Sequence, residues 1–187
     1  NNEACSDIAL QAAHKAISNA GLEIRDINRI LVATFTPDSY IPSAACLLQH
    51  KLGLKGCMSL DVSAACSGFL YSLETARGLA CLHPEDNILI VASEVLSSRT
   101  DYEDRATCVL FGDGAGAVVL SGSTPGKALV EDVLLRADGS LGDLLTVKGG
   151  GSGFPVRPRE TVKDNFFVQM QGQEVFRHAV RSMTEVT

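Results

Sequence analysis

The sequence predicts an α/β fold built on a mostly parallel sheet, and three observations lead to this prediction. Apolar runs typical of buried strands alternate with helical patterns along residues 6–95. Their spacing suits right-handed βαβ units whose helices cover both faces of the sheet. After residue 95 the connections become short, which indicates a hairpin-like addition to the sheet.

The first part of the chain reads as three strands and three helices. Gly21 and Gly53 supply the stops of the first two helices, and Pro42 opens the second. The run NILIVASEV is the clearest buried strand in the sequence. In chain order the predictions are a helix over 6–20, a strand over 27–34, a helix over 43–52, a strand over 57–63, a helix over 69–82 and a strand over 87–95.

The rest of the chain is less regular. We predict strands over 108–111, 115–120 and 128–135, with a glycine-rich turn between the first two. Residues 148–165 are rich in Gly, Pro and charge, and they predict a long surface loop. A final helical pattern runs to the end of the chain, which does not begin with Met, so we expect a part of a longer protein.

Composition excludes several classes of function. The net charge is −6, from 16 basic and 22 acidic residues, and basic residues form no long run, so nucleic-acid binding is not expected. The apolar runs are far shorter than the roughly 20 residues of a membrane span. The 6 cysteines show no Cys-x-x-Cys spacing, which argues against a metal site and favours reduced thiols in a cytoplasmic protein.

The glycine-rich run at 112–117 fits the pattern G-x-G-x-x-A of dinucleotide-binding proteins. That pattern needs a helix to follow, because the pyrophosphate binds the amides of a helix N-terminus. Here Ala117-Val118-Val119-Leu120 follows, which is a strand pattern. The glycines are therefore interpreted as allowing a tight turn and close strand packing.

Cys66 is the main candidate for chemistry. It lies in DVSAACSGFLY, where a predicted strand passes through small residues into a predicted helix. Such a turn can present a nucleophile, and the positive end of the helix dipole would favour the thiolate. A buried cysteine packed under the helix explains the same pattern. The four histidines, at 14, 50, 83 and 178, lie in no catalytic motif, so local sequence leaves the two interpretations open.

Three separated segments resemble β-ketoacyl-acyl carrier protein synthase III, a condensing-enzyme family of the thiolase superfamily. They are PSAACLLQHKLGLKGCMSLDVSAACSGF, VLSSRTDYEDRATCVLFGDGAGAVVL and ADGSLGDLLT. The resemblance implies a thiolase-like fold of five αβαβα layers in two related halves. On that basis residues 1–147 are most of the first βαβαβαββ half, 148–165 a loop and 166–187 the start of the second half.

The resemblance also implies an activity. Cys66 matches the cysteine that takes an acyl group, acetyl expected, from acyl-CoA as a thioester. Malonyl-acyl carrier protein then loses carbon dioxide, and its carbanion attacks that thioester to give 3-oxoacyl-acyl carrier protein, which initiates fatty acid biosynthesis. No cofactor or metal is implied. The family's catalytic His and Asn lie in motifs absent here, so this chain alone is not expected to complete a condensation.

Substrate-binding positions follow from the same resemblance. Ile41 falls where the family places an acyl-pocket residue donated across a homodimer, and its size should influence the choice of primer. Arg177 falls where a basic residue docks the acidic carrier protein. The other positions implied to line the acyl, pantetheine or CoA channel are Leu96, Arg105, Phe111, Gly172, Phe176 and Ala179.

Two alternatives to the initiating enzyme stay open at this stage. One is a related condensing enzyme that makes a polyketide, quinolone or 3-hydroxy-3-methylglutaryl-type product. The other is a non-catalytic dimer scaffold. The apolar channel positions also have a plain core interpretation, and Arg177 has that of an ordinary surface charge on a helix.

Overall fold

The computed structural model describes residues 3–155 and 165–186. The chain divides into two compact units. The first runs to Val95 and resumes over Asp113–Leu135, and the second comprises Leu96–Gly112 and the chain from Arg136 onward. The boundaries predicted at 147 and 165 separate two related halves of the fold. The division into compact units does not test them, so they stay a prediction.

The first unit contains a four-stranded sheet. Its strands are β1 (Ile27–Ala33), β2 (Met58–Val62), β3 (Asn87–Val95) and β4 (Asp113–Ser121). The spatial order is β2-β1-β3-β4, with β1 parallel to β2 and β3, and β4 antiparallel to β3. The mostly parallel sheet with an antiparallel addition is therefore confirmed.

Three helices cover the two faces of this sheet. They are α1 (Cys5–Asn19), α2 (Ala44–Lys51) and α3 (Gly68–Leu82). Because strand side chains alternate in direction, Ile30 and Val32 of β1 pack in the cluster that contains α1 and α2. Leu31, between them, packs in the cluster that contains Ala76 of α3. Burial on both faces explains why the strands read as continuous apolar runs.

The predicted helix ends agree with the structure within about two residues, as is usual for such assignments. The backbone N–H of Cys46 donates to the Ser43 hydroxyl at 3.2 Å, so Ser43 caps α2. Gly21 and Gly53 follow α1 and α2 with φ of 71° and 73°. Glycine is the residue that adopts this left-handed conformation at the least cost.

Three predictions for the region after β3 are wrong. Residues 108–110 form hydrogen-bonded turns and 111 no regular structure, instead of a strand, with the N–H of Cys108 donating to the Asp104 carbonyl at 3.0 Å. Residues 128–135 form no regular strand, and Leu129 is 83% exposed, so apolar content there does not reflect burial. The predicted glycine turn is instead part of β4, where Gly114 and Gly116 pair with Glu94 and Ala92 of β3.

Within its described residues, the second unit contains one α-helix and one short strand pair. The helix is α4 (Gly172–Glu185), and β5 (Leu145–Thr146) pairs antiparallel with β6 (Gln169–Met170). The N–H of Val168 donates to the Arg99 carbonyl at 2.8 Å, which joins the two chain segments of this unit. Of the predicted loop at 148–165, residues 156–164 lie outside the described residues.

Candidate active site

Cys66 lies in a sharp turn between a strand and a helix. β2 ends at Val62, residues Ala65–Ser67 form one 3₁₀ turn, and α3 begins at Gly68. The N–H of Ser67 donates to the Ala64 carbonyl at 3.1 Å and closes the turn. The Cys66 side chain is exposed. The strand, turn and helix predicted around Cys66 are therefore present, and the alternative of a thiol packed under the helix is wrong.

The backbone of this turn is strained beside the thiol. Ala65 has φ of 45°, and it is the one non-glycine residue with positive φ within the described part of the chain. An L-residue in this conformation costs roughly 1–2 kcal/mol. Backbone strain of this kind is concentrated at functional sites, where it fixes the direction of a side chain.

Gly68 allows the turn to lie close to the sheet. A Cβ at position 68 would be 3.0 Å from the Cβ of Ala33 and 3.8 Å from the Val62 carbonyl oxygen. Non-bonded carbons prefer separations of about 3.5–4.0 Å. The small residue that follows Cys66 and Ser67 thus permits the start of α3 to contact the end of β1.

Polar contacts hold residues 34–36, which directly follow β1, and sequence reasoning missed them. The N–H of Thr34 donates to the Val62 carbonyl at 3.2 Å. The Glu94 carboxylate accepts hydrogen bonds from the N–H of Phe35 at 3.0 Å and of Thr36 at 3.1 Å. A signal existed in the sequence, because Glu94 is the one charged residue in the otherwise uncharged run NILIVASEV.

The exposed thiol at this turn can act as a nucleophile. Cys66 precedes the first turn of a 15-residue helix, whose unpaired N–H groups carry partial positive charge. Such a site can stabilise an oxyanion formed beside it. Cys5 is buried instead, and burial raises the pKa of the Cys5 thiol.

The other cysteines lack this setting. Cys57 and Cys108 are half-buried, and Cys46 and Cys81 are exposed within regular helices. No group of three or more His, Cys, Asp or Glu side chains within residues 3–155 and 165–186 could hold a metal ion.

The residues predicted to bind substrate are divided between the two units. Ile41 belongs to the first unit and is 88% exposed, in the loop that precedes α2. Leu96, Arg105 and Phe111 belong to the second unit, where Leu96 and Phe111 are half-buried and Arg105 is exposed. These assignments stay predictions.

The turn that carries Arg105 is ordered by a carboxylate. Asp104 accepts hydrogen bonds from the Thr107 hydroxyl at 2.5 Å and from the N–H of Ala106 at 3.0 Å. The Thr107 hydroxyl, followed by the Ala106 amide, lowers the pKa of the Asp104 carboxyl. Arg105 is thereby held within a defined turn.

Helix α4 brings three of the predicted residues together. Gly172, Phe176 and Ala179 are spaced four and three residues apart, so they lie on one face of the helix. Phe176 is 71% exposed within the described chain. Arg177 is exposed too, and its guanidinium pairs with Glu174 at 3.0 Å.

Within the first unit, the described contacts place no histidine against Cys66. His14, His50 and His83 are exposed, on or at the ends of helices of the first unit. His178, on α4, lies near Asp138 and contributes to lowering the pKa of that carboxyl, after the hydrogen bonds from Ser140.

No helix within the described ranges is long and apolar enough to span a bilayer.

Comparisons with known proteins find the chain similar to 3-oxoacyl-[acyl-carrier-protein] synthase III in sequence and in fold. Residues 60–139 match the family model of 3-oxoacyl-[acyl-carrier-protein] synthase III. A β-ketoacyl-[acyl-carrier-protein] synthase III of Oleidesulfovibrio alaskensis is 54% identical over an alignment of 187 residues, which covers 98% of this chain and 56% of that protein. A second β-ketoacyl-[acyl-carrier-protein] synthase III, from Nitratidesulfovibrio vulgaris, is 52% identical over an alignment of 184 residues. The alignment covers 97% of this chain and 56% of that protein.

A solved structure gives the same result for the fold. The crystal structure of 3-oxoacyl-[acyl-carrier-protein] synthase III from Aquifex aeolicus superposes with a TM-score of 0.86 at 39% identity. It covers 100% of this chain and 55% of that one. The family resemblance and the thiolase-like α/β fold predicted from sequence are therefore confirmed, and the chain spans about half the length of the relatives it matches.

Proposed function

Because the chain matches β-ketoacyl-acyl carrier protein synthase III in sequence and fold, we propose that the full-length protein starts fatty acid chains. It would condense a short acyl-CoA with malonyl-acyl carrier protein to give 3-oxoacyl-acyl carrier protein. The observation that carries the proposal is the exposed Cys66 in a strained turn at the amino end of α3. That is the placement a nucleophilic thiol requires.

The first half-reaction uses Cys66 directly. Its thiolate attacks the thioester carbonyl of the acyl-CoA, a Cys66 thioester forms, and CoA leaves as the thiol after taking a proton. Amides at the amino end of α3, including that of Cys66, are the proposed donors to the developing oxyanion. The substrate is already activated as a thioester, so no cofactor is needed.

The second half-reaction forms the new carbon–carbon bond. Malonyl-acyl carrier protein loses carbon dioxide, and the resulting carbanion attacks the carbonyl carbon of the Cys66 thioester. The sulfur leaves as the thiolate, and 3-oxoacyl-acyl carrier protein is released. The His and Asn that assist this step in the family are expected in sequence beyond this chain, and none of the four histidines present is assigned to it.

Two protein contacts complete the proposal. Arg177 is an exposed cation whose ion pair with Glu174 is also exposed, and pairs of that kind contribute little free energy. It can therefore exchange its partner for an acidic carrier protein. Tyr40 and Ile41 are 82% and 88% exposed, and we propose that a second copy of the protein covers them in a cytoplasmic homodimer.

A reconstituted condensation assay tests the function. The full-length protein is incubated with malonyl-acyl carrier protein and, in separate reactions, acetyl-CoA, longer acyl-CoAs and no primer. We expect 3-oxoacyl-acyl carrier protein with a short acyl-CoA and none from the Cys66→Ser variant. A product that is not carried on acyl carrier protein would instead indicate a related condensing enzyme, and no product with any primer would indicate a scaffold.

A further inference from the structure

Glu94 near the end of β3 has a half-buried carboxylate, and its donors among the described residues come from one short segment, residues 34–36. One oxygen accepts from the N–H of Phe35 at 3.0 Å. The other accepts from the N–H of Thr36 at 3.1 Å, from the Thr34 hydroxyl at 3.2 Å and from the Thr36 hydroxyl. Four neutral donors within three consecutive residues therefore share a single carboxylate.

The two threonines close this network. The N–H of Val95 donates to the Thr36 hydroxyl oxygen at 2.8 Å, so that hydroxyl both donates to Glu94 and accepts from the residue after it. Thr34 and Thr36 are 4% and 6% exposed. Removing one partner of a buried hydrogen bond costs the protein more stability than the bond itself contributes, because the remaining partner is left buried and unsatisfied.

Thr34 of the segment held by Glu94 and the preceding residue, Ala33, lie against the two ends of the Cys66 turn. Before the turn, the N–H of Thr34 donates to the Val62 carbonyl at 3.2 Å. After the turn, Ala33 limits the space at Gly68, where an added Cβ would lie 3.0 Å from the Ala33 Cβ. The end of β1 thus lies against both ends of the backbone that presents the thiol.

We propose that Glu94, through Thr34 and Thr36, is a positioning residue for Cys66. It touches neither the substrate nor the sulfur. Its carboxylate holds residues 34–36, which directly follow β1. Those residues and the end of β1 fix the turn and hence the direction of the thiol. This inference rests on the proposed function, because its measured consequence is the rate at which Cys66 takes an acyl group.

The test compares three single variants of the full-length protein with the wild type. Glu94→Gln keeps the shape but replaces one acceptor oxygen by an NH₂ donor that faces N–H groups. Thr36→Val keeps the shape but removes the hydroxyl, and Thr36→Ser is the matched control that retains it. For each protein, the acylation rate of Cys66 is measured by quenched-flow mass spectrometry over a range of acetyl-CoA concentrations, and the folded fraction by denaturant unfolding.

We expect Glu94→Gln and Thr36→Val each to lower the saturating acylation rate per folded molecule by about tenfold, since small misplacements of a reacting atom have effects of this size or more. The half-saturating acetyl-CoA concentration should stay unchanged, because the loss is confined to the transition state. Thr36→Ser should restore the rate to within about twofold of wild type, since it retains the hydrogen bonds of the hydroxyl.

Two results would overturn the inference. Variants that are less stable but acylated at the wild-type rate per folded molecule would show a structural role alone, as would a Thr36→Ser protein as slow as Thr36→Val. These outcomes differ from failure of the proposed function, in which the wild type itself takes no acyl group on Cys66 and the inference falls with it.

Discussion

Gly68→Ala tests whether the turn at Cys66 depends on its close contact with β1. The new Cβ would lie 3.0 Å from the Ala33 Cβ, which is about 0.5–1 Å inside the preferred separation. Overpacking of this kind costs about 1–3 kcal/mol. Alanine in a helix recovers up to about 1 kcal/mol relative to glycine. The free energy of unfolding should therefore fall by about 1 kcal/mol. The rate of Cys66 acylation should fall by a larger fraction than the folded population does.

Ala33→Gly supplies the matched partner for a double-mutant cycle. Alone it should cost about 1–2 kcal/mol, from the buried methyl group and from glycine in a strand. Combined with Gly68→Ala it removes the crowding, so the double variant should be more stable than the sum of the two single effects by about 1 kcal/mol or more. Urea unfolding of the full-length protein measures each value.

The cycle also gives the refuting result. Single effects that add within about 0.5 kcal/mol would show that the two positions do not interact. The close approach of α3 to β1 would then not constrain the turn. Recovery of Cys66 acylation in the double variant, measured alongside, would link the packing to the position of the thiol.

Three further predictions concern residues around this site. Ala65→Gly should be neutral or stabilise the fold by up to about 1 kcal/mol, whereas Ala65→Val should destabilise it by more than about 1 kcal/mol, because φ of 45° disfavours a β-branched residue. Urea unfolding of both variants measures this difference, and equal unfolding midpoints would contradict it. Asp61→Ala should cost about 1–2 kcal/mol in thermal unfolding, because the Asp61 carboxylate accepts from the N–H groups of Ala44 and Ala45 at 2.8 and 2.7 Å at the start of α2. Burial raises the pKa of the Cys5 thiol above its ordinary value of 9.0, so the folded state keeps its proton to higher pH than the unfolded state. The stability that Cys5 contributes by keeping its proton is fully present below pH 9.0 and is lost as the pH rises above it. The free energy of unfolding should therefore fall less steeply with alkaline pH in Cys5→Ala than in the wild type, and an unchanged slope would refute this.

The parallel part of the fold was predictable because its strands are buried on both faces. Residues 27–34 and 87–95 have continuous apolar runs, and helices with glycine stops separate them. Burial on two faces leaves a strong local signal in the residues themselves. The order of elements through residue 95 was therefore predicted correctly.

The region after β3 was not predictable for physical reasons. Gly114 and Gly116 have no side chains to show strand alternation, yet they lie in β4 because β3 supplies their hydrogen-bond partners. Leu129 and Leu134 make residues 128–135 look like a strand, but both are exposed and no strand forms there. Pairing across the sheet, which decides both cases, is absent from local sequence.

At the site, local sequence predicted the turn and the structure supplied what orients it. The small residues around Cys66 indicated a strand, a turn and a helix, and all three are present. The contacts of Glu94 with residues 34–36 join positions that are 58–60 residues apart in the chain. Contacts of that separation leave no periodic pattern, so only the isolated charge of Glu94 pointed to them.

The most direct test of the account is the site of acylation on the full-length protein. After incubation with acetyl-CoA and no malonyl-acyl carrier protein, intact-mass measurement and peptide mapping should show one acetyl group on Cys66 and none in Cys66→Ser. The exposed Cys46 and Cys81 should stay unmodified, which controls for non-specific acylation. An adduct on another residue, or no adduct on a folded wild-type protein, would contradict the assignment of Cys66 as the acyl-accepting nucleophile.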